Sequence, residues 1–156
     1  MMLDKQLLFS DAQTLVHAAG AFNSTNVIDL WGGTALPAGP LGTPVFDPGR
    51  GSEVDVLVQI VTTYLAAAGA STVKIQLVNA DAADLTGNPI ILADSGAIAK
   101  ADLVAGYRFR GFRCLAAGCT RRYLGLIITI ATNDGTAGAL TAGLCMDVAT
   151  APGVFV

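Results

Sequence analysis

The sequence predicts an all-β chain: an antiparallel, jelly-roll-like β-sandwich with one long Gly/Pro-rich loop or arm. Three observations carry this. Apolar residues recur at every second position in several segments, which is the period of a half-buried strand and not of a helix. Charged residues make up only 13% of the chain, about half the usual share, and glutamate occurs once, at Glu53, so the charged helix formers are nearly missing. Turn-forming Asn and Asp, with 18 glycines, interrupt the apolar runs at short intervals. A length of 156 residues fits a single domain, 1–156, with a core that needs no staples.

The clearest strand is the stretch TRRYLGLIITIATN at 120–133. Leu124, Leu126, Ile128 and Ile130 form one wholly aliphatic face, and the β-branched content argues against a helix. The other face, with Tyr123, Gly125, Ile127, Thr129 and Ala131, is smaller and mixed, but apolar enough to need cover. A symmetric oligomer, a dimer in preference to a trimer, is expected to supply that cover through Tyr123, Ile127 and Thr129.

The remaining elements follow in chain order. Residues 7–15, LLFSDAQTL, read either as a strand or as a terminal arm docked on a neighbour, so 1–23 is an N-terminal arm or strand. Val27, Ile28 and Leu30 form a short strand, with Asp29 pointing away from its aliphatic side. Val54, Val56, Val58 and Ile60 alternate with more polar neighbours, and 72–79 repeats the pattern with Val73, Ile75 and Leu77 inward. Residues 66–71 and 79–89 carry turn chemistry. Pro89 can only begin a strand, so 89–93 is an edge strand. One helical turn is expected within 98–104. In 107–113, Tyr107, Phe109 and Gly111 fall on one side and Arg108, Arg110 and Phe112 on the other. A last strand, 139–148, turns Leu140, Ala142, Leu144 and Met146 to one face. Some eight short strands separated by turns imply a sandwich, most simply a jelly roll.

Residues 31–52, WGGTALPAGPLGTPVFDPGRGS, depart from this pattern. Prolines at 37, 40, 44 and 48 remove ladder donors, and the interspersed glycines make regular structure costly. Yet Trp31, Leu36, Leu41, Val45 and Phe46 are larger than a solvated linker carries, with Arg50 beside them. A loop of this length and composition reads as an extended partner-binding arm or as a plain surface loop.

A search for reactive chemistry returns little. A single histidine, His17, builds neither a triad nor a metal set. Asp81 and Asp84 sit three apart without the glutamate that closes a calcium loop, so turn capping is the expected role. Cys114, Cys119 and Cys145 read as buried free thiols, with a Cys114–Cys119 bridge as the alternative. Arg108, Arg110, Arg113, Arg121 and Arg122 cluster in sequence. On a chain of net charge −3 they suit an acidic protein partner better than nucleic acid. Mean hydropathy is +0.57, but no run approaches the ~18 uninterrupted apolar residues of a membrane span. That hydropathy is expected to be buried inside the chain or between chains. The opening residues lack the basic region of a secretory signal, so an intracellular product is expected.

Several phrases in order, LLFSDAQTL at 7–15, STNVIDL at 24–30, SGAIAKADLVAGYRF at 95–109, TRRYLGLIITIAT at 120–132 and TAGALTAGLCMDV at 136–148, cover most of the chain. Together they resemble the cement, or decoration, proteins of tailed bacteriophages, of the type first described in a Bordetella phage. The resemblance implies a jelly roll that is made in the host cytoplasm and sits on the capsid exterior of the virion. There it would bridge major capsid protein subunits and stabilise the shell. It implies no enzymatic activity and no cofactor, and the reading of the residues adds the expectation of no metal, no nucleic acid and no membrane. The capsid contacts expected from the apolar arm are Trp31, Leu36, Leu41, Val45, Phe46 and Arg50. The alternative is a jelly-roll module of a phage tail or fibre that recognises a carbohydrate or receptor.

Overall fold

The computed structural model describes residues 7–30, 53–115 and 119–145, with backbone alone for Glu53 and 113–115. Ten strands are present among them: β1 (Leu8–Thr14), β2 (Gly20–Asn23), β3 (Ile28–Asp29), β4 (Glu53–Ala66), β5 (Thr72–Ala80), β6 (Ile90–Asp94), β7 (Ile98–Ala99), β8 (Arg113–Leu115), β9 (Tyr123–Ala131) and β10 (Gly135–Cys145). They form two antiparallel sheets. Sheet A runs β1-β10-β4-β8, and sheet B runs β2-β9-β5-β6, with β3 also on β9 and β7 also on β5. Apart from the two-residue strands, the pairing is nested: β1 with β10, β2 with β9, β4 with β8, β5 with β6. That is a long hairpin rolled into two layers, the jelly roll the sequence predicts.

Alternation puts the core where it was expected. Leu126, Ile128 and Ile130 of β9 are buried beside their ladder partners Leu77, Ile75 and Val73 on β5, and Leu124 is buried beside Asn79. Val54, Val56, Val58 and Ile60 of β4 and Leu140, Ala142 and Leu144 of β10 belong to the same core cluster, contributed from sheet A. Each large side chain buried this way contributes about 1.5–3 kcal/mol before ordering costs.

Several local expectations change. Residues 8–14 are a strand of sheet A with Phe9 buried, not an arm docked on a neighbour. β4 continues to Ala66, past the expected end near residue 61, through register shifts against β10 that let it bend along the sandwich. The expected helical turn in 98–104 is the short β7 followed by a turn in which Leu103 N–H donates to the Lys100 carbonyl at 3.2 Å. Phe109 and Phe112 both enter the core, because Gly111 at φ 80° breaks the two-residue alternation that separated them.

The two ends of the sandwich differ. At the Gly135 end, short connections are tied to one another. Gly135 N–H donates to the His17 carbonyl at 2.9 Å, Ala19 N–H to Asp134 Oδ1 at 2.8 Å, and Ala67 N–H to the Asp134 carbonyl at 3.0 Å. The buried Ser71 hydroxyl lies 3.1 Å from that of Tyr64 and within reach of the Ala131 and Asn133 carbonyls. His17 is structural, its ring stacked on Phe22 at 4.0 Å. At the opposite, Tyr123 end, the chain leaves the described residues at Leu30, Leu115 and Cys145, and enters them at Leu7, Glu53 and Cys119.

Candidate interaction surface

The Tyr123 end is built from the start of β9, the end of β3, and the 81–89 connection between β5 and β6. Residues 121–123 must turn into the sheet without a complete ladder, and a buried amide takes its place. Asn79, fully buried on β5, accepts the Arg121 N–H at 2.7 Å and donates to the Arg121 and Tyr123 carbonyls at 3.0 and 2.8 Å. All three of those bonds satisfy backbone groups that burial would otherwise penalise.

Two ion pairs then fasten neighbouring elements to this turn. Arg122 grips Asp29 of β3 with both prongs, Nε to Oδ1 at 3.1 Å and Nη2 to Oδ2 at 2.8 Å, while Leu30 N–H donates to the Arg122 carbonyl at 2.8 Å. Hydrogen bonding to Asp29 raises the Arg122 pKa further, and its guanidinium lies 5.0 Å from the Tyr123 ring centroid. Arg121 Nη1 donates to Asp81 Oδ2 at 2.9 Å, and Asn88 holds the same oxygen at 3.1 Å. These pairs are half exposed, so their value is in geometry more than in stability.

A second, smaller core closes the outer face of sheet B at this end. Leu85, at φ 60° in the 81–89 connection, is buried with Val78 and Ala80 and packs against Val27, Tyr123 and Ile127. Gly125 makes room for it: a β-carbon there would stand 2.8 Å from Leu85 Cδ1 and 3.2 Å from Val27 Cγ2. Asp84 caps the turn, accepting from the Thr86 N–H at 3.1 Å and hydroxyl at 2.7 Å, as its position in the sequence suggested.

Against the sequence reading, the arginine group divides. Arg121 and Arg122 are engaged with Asp81 and Asp29, whereas Arg108 and Arg110 are exposed on the segment running beside β4, where Arg108 bridges to Gln59. The Arg113 side chain lies outside the described residues. Tyr123 and Ile127 are half-buried around Leu85, and Thr129 sits farther along β9 between Lys74 and Ala21. Trp31, Leu36, Leu41, Val45, Phe46 and Arg50 all lie outside the described residues, as does the Cys114 side chain. Cys145 is buried, its thiol 3.6 Å from the Asp55 carbonyl and its pKa pushed up by burial. Sequence reasoning missed Leu85, Asn79 and the Asp29–Arg122 pair. None of them carries a periodic or motif signal.

Among the described residues no three His, Cys, Asp or Glu side chains gather as metal ligands, and no helix is long and apolar enough to cross a membrane. A protein-family model described as Bbp16 matches residues 9–144, which spans nearly all of both sheets. No curated protein matches the chain.

Proposed function

Because the chain belongs to the Bbp16 family, a Bordetella-phage type of protein, we propose that it is a structural virion protein. In this reading it binds the outer surface of the phage capsid and stabilises the shell by bridging major capsid protein subunits, with no catalytic role. The observation that carries this is the unequal pair of ends. The Gly135 end is closed by short, mutually bonded turns. At the Tyr123 end the turns are held by Asn79, Asp29 and Asp81, and the long connection 31–52 leaves and rejoins the sheets there. Residues 31–52 spring from Leu30, which is bonded to Arg122, and return at Glu53. A rigid base carrying long connections suits a clamp laid across a seam between subunits. Many modest contacts repeated over a symmetric shell then add by avidity.

The test uses capsids assembled with and without the protein. Complete capsids should withstand heating that opens the deficient ones, and adding back the pure protein should restore resistance. Leu41→Ser with Phe46→Ser should weaken capsid binding and leave the melting temperature of the isolated protein nearly unchanged. Capsids that melt at the same temperature with and without the protein would exclude the cement role.

A further inference from the structure

Beyond β4, residues 107–110 make the edge of sheet A and carry two arginines. Ile60 N–H donates to the Tyr107 carbonyl at 2.9 Å and Phe109 N–H to the Val58 carbonyl at 3.0 Å, which sets Arg108 opposite Gln59. In that pattern the N–H and carbonyl of Arg108 point away from β4, toward the open edge. Among the described residues neither group has a partner. Val58 and Ile60 face the core, so Gln59 and Arg108 share the outer face, and Arg110, one past the buried Phe109, falls on it too. Both arginines are exposed. Among the described residues neither meets a carboxylate, whereas Arg121 and Arg122 each grip an aspartate. The strip is held firmly. The Phe109 ring meets Tyr107 edge-on at 5.2 Å and Phe112 at 6.5 Å, and Gly106 and Gly111, at φ 93° and 80°, turn the chain at its two ends.

We propose that Arg108 and Arg110 form a docking edge for an extended acidic segment of another protein, one that carries carboxylates at alternate positions. Spacing sets the pattern. Side chains two apart on a strand stand about 6.7 Å from each other, so a segment laid alongside with the same repeat puts one carboxylate against each guanidinium. The outward N–H and carbonyl of Arg108 add a main-chain rung, and the segment joins the sheet as a further strand. Residue type agrees. Keeping stray strands off an edge needs only a charge, for which lysine ordinarily serves, while the planar fork of arginine matches a carboxylate with two bonds. A second copy of this chain does not fit. Its twelve acids include one pair two residues apart, Glu53 and Asp55, and these lie within β4, paired with β8 and, at Asp55, with β10 as well. The occupant is therefore a different protein. The proposal adds partner chemistry to the capsid reading and rests on it only for that partner's identity; its test contains no capsid.

The isolated full chain is titrated at low salt with a threonine-rich peptide carrying two glutamates two positions apart, followed in nitrogen–proton correlation spectra. The amides of 107–110 should shift, and solvent exchange at the Arg108 N–H should slow. A peptide of the same composition with its glutamates three apart, on opposite faces of a strand, should bind at least threefold more weakly. Arg108→Gln with Arg110→Gln should raise the dissociation constant tenfold or more without moving the melting temperature, and Lys74→Gln on sheet B should leave it unchanged. No shift at 107–110 with millimolar peptide overturns the proposal. So does equal affinity for the two peptides, an oligonucleotide of equal charge bound as tightly, or binding undiminished in the double variant. If the double variant does not fold, Arg110→Gln alone must weaken binding at least threefold, and its failure to do so also overturns the proposal.

Discussion

Truncating Leu85 to alanine tests whether the small core over Gly125 is a packed element. The substitution removes about three carbons' worth of buried surface, ~2.4 kcal/mol at ~0.8 kcal/mol per methylene. The cluster is small and half its members are partly exposed, so it can relax, and the cost should stay near the low end of the ~2–5 kcal/mol range for buried leucines. Backbone strain makes the test sharper. At φ 60° any β-carbon is disfavoured by about 1–2 kcal/mol, and glycine is not. Glycine loses about 0.5–1 kcal/mol of that advantage to chain entropy. Leu85→Gly should therefore match Leu85→Ala in stability or exceed it by up to about 1.5 kcal/mol, the reverse of the usual order. Gly125→Ala should cost about 1–2 kcal/mol in the intact chain, where its β-carbon meets Leu85 Cδ1 at 2.8 Å, and close to nothing once Leu85 is alanine. Urea unfolding of the four members of that cycle, with Leu85→Gly alongside, supplies the numbers. Equal costs of Gly125→Ala in both backgrounds, or a glycine variant clearly weaker than alanine, would refute the packing and the strain respectively.

Three further outcomes are expected. Gly135→Ala should destabilise at the upper end of the ~1–3 kcal/mol overpacking range, because its β-carbon would run into the Leu15 carbonyl oxygen, which is backbone and cannot turn aside; chemical denaturation measures it. Asn79→Ala should cost roughly 2–4 kcal/mol by leaving three backbone partners at residues 121 and 123 without bonds, and amide exchange should speed selectively at Arg121. Hydrogen bonds from Thr86 lower the Asp84 pKa, and the bond from the Gly96 N–H lowers that of Asp94. Depressed carboxylates contribute stability that is complete above the unfolded value of about 3.9 and is lost as pH falls through the folded value. The urea midpoint should therefore fall on acidification below about pH 4, and Asp94→Asn should flatten that fall.

The strands that alternate cleanly, β4, β5, β9 and β10, were legible because one face of each is aliphatic and period two has no helical equivalent. Pro89 marked β6 in the same way, by forbidding a ladder donor at the strand's first position. β2 escaped notice because Gly-Ala-Phe-Asn offers a single large side chain, and its place is decided by β9 beside it. Phe112 was put on the wrong side since nothing in the sequence announces that Gly111 adopts a positive φ. The surface was less legible than the core. Asp29 and Arg122 meet only because β3 pairs with the start of β9, and Leu85 is buried only because position 125 lacks a side chain. Such facts belong to tertiary geometry, which a single sequence does not display. The group Arg108 to Arg122 shows the cost: neighbours in the chain were read as one patch, and the fold sends them to different sheets.

The nested ladder also governs how the molecule comes into being. Only β5 and β6 are close in the chain; each surrounding pair joins more distant segments, until Leu8 meets Gly143. Closing loops of that span before the contacts reward it slows folding, placing this topology among chains that fold in milliseconds to seconds. A nascent chain on the ribosome can form the inner hairpin early, but β1 must wait for β10, the last described strand to be synthesised. Until then β4 lacks its β10 neighbour, and its aliphatic face belongs to an incomplete sheet. A stop codon anywhere before residue 135 should accordingly yield an aggregating fragment, not a smaller folded domain.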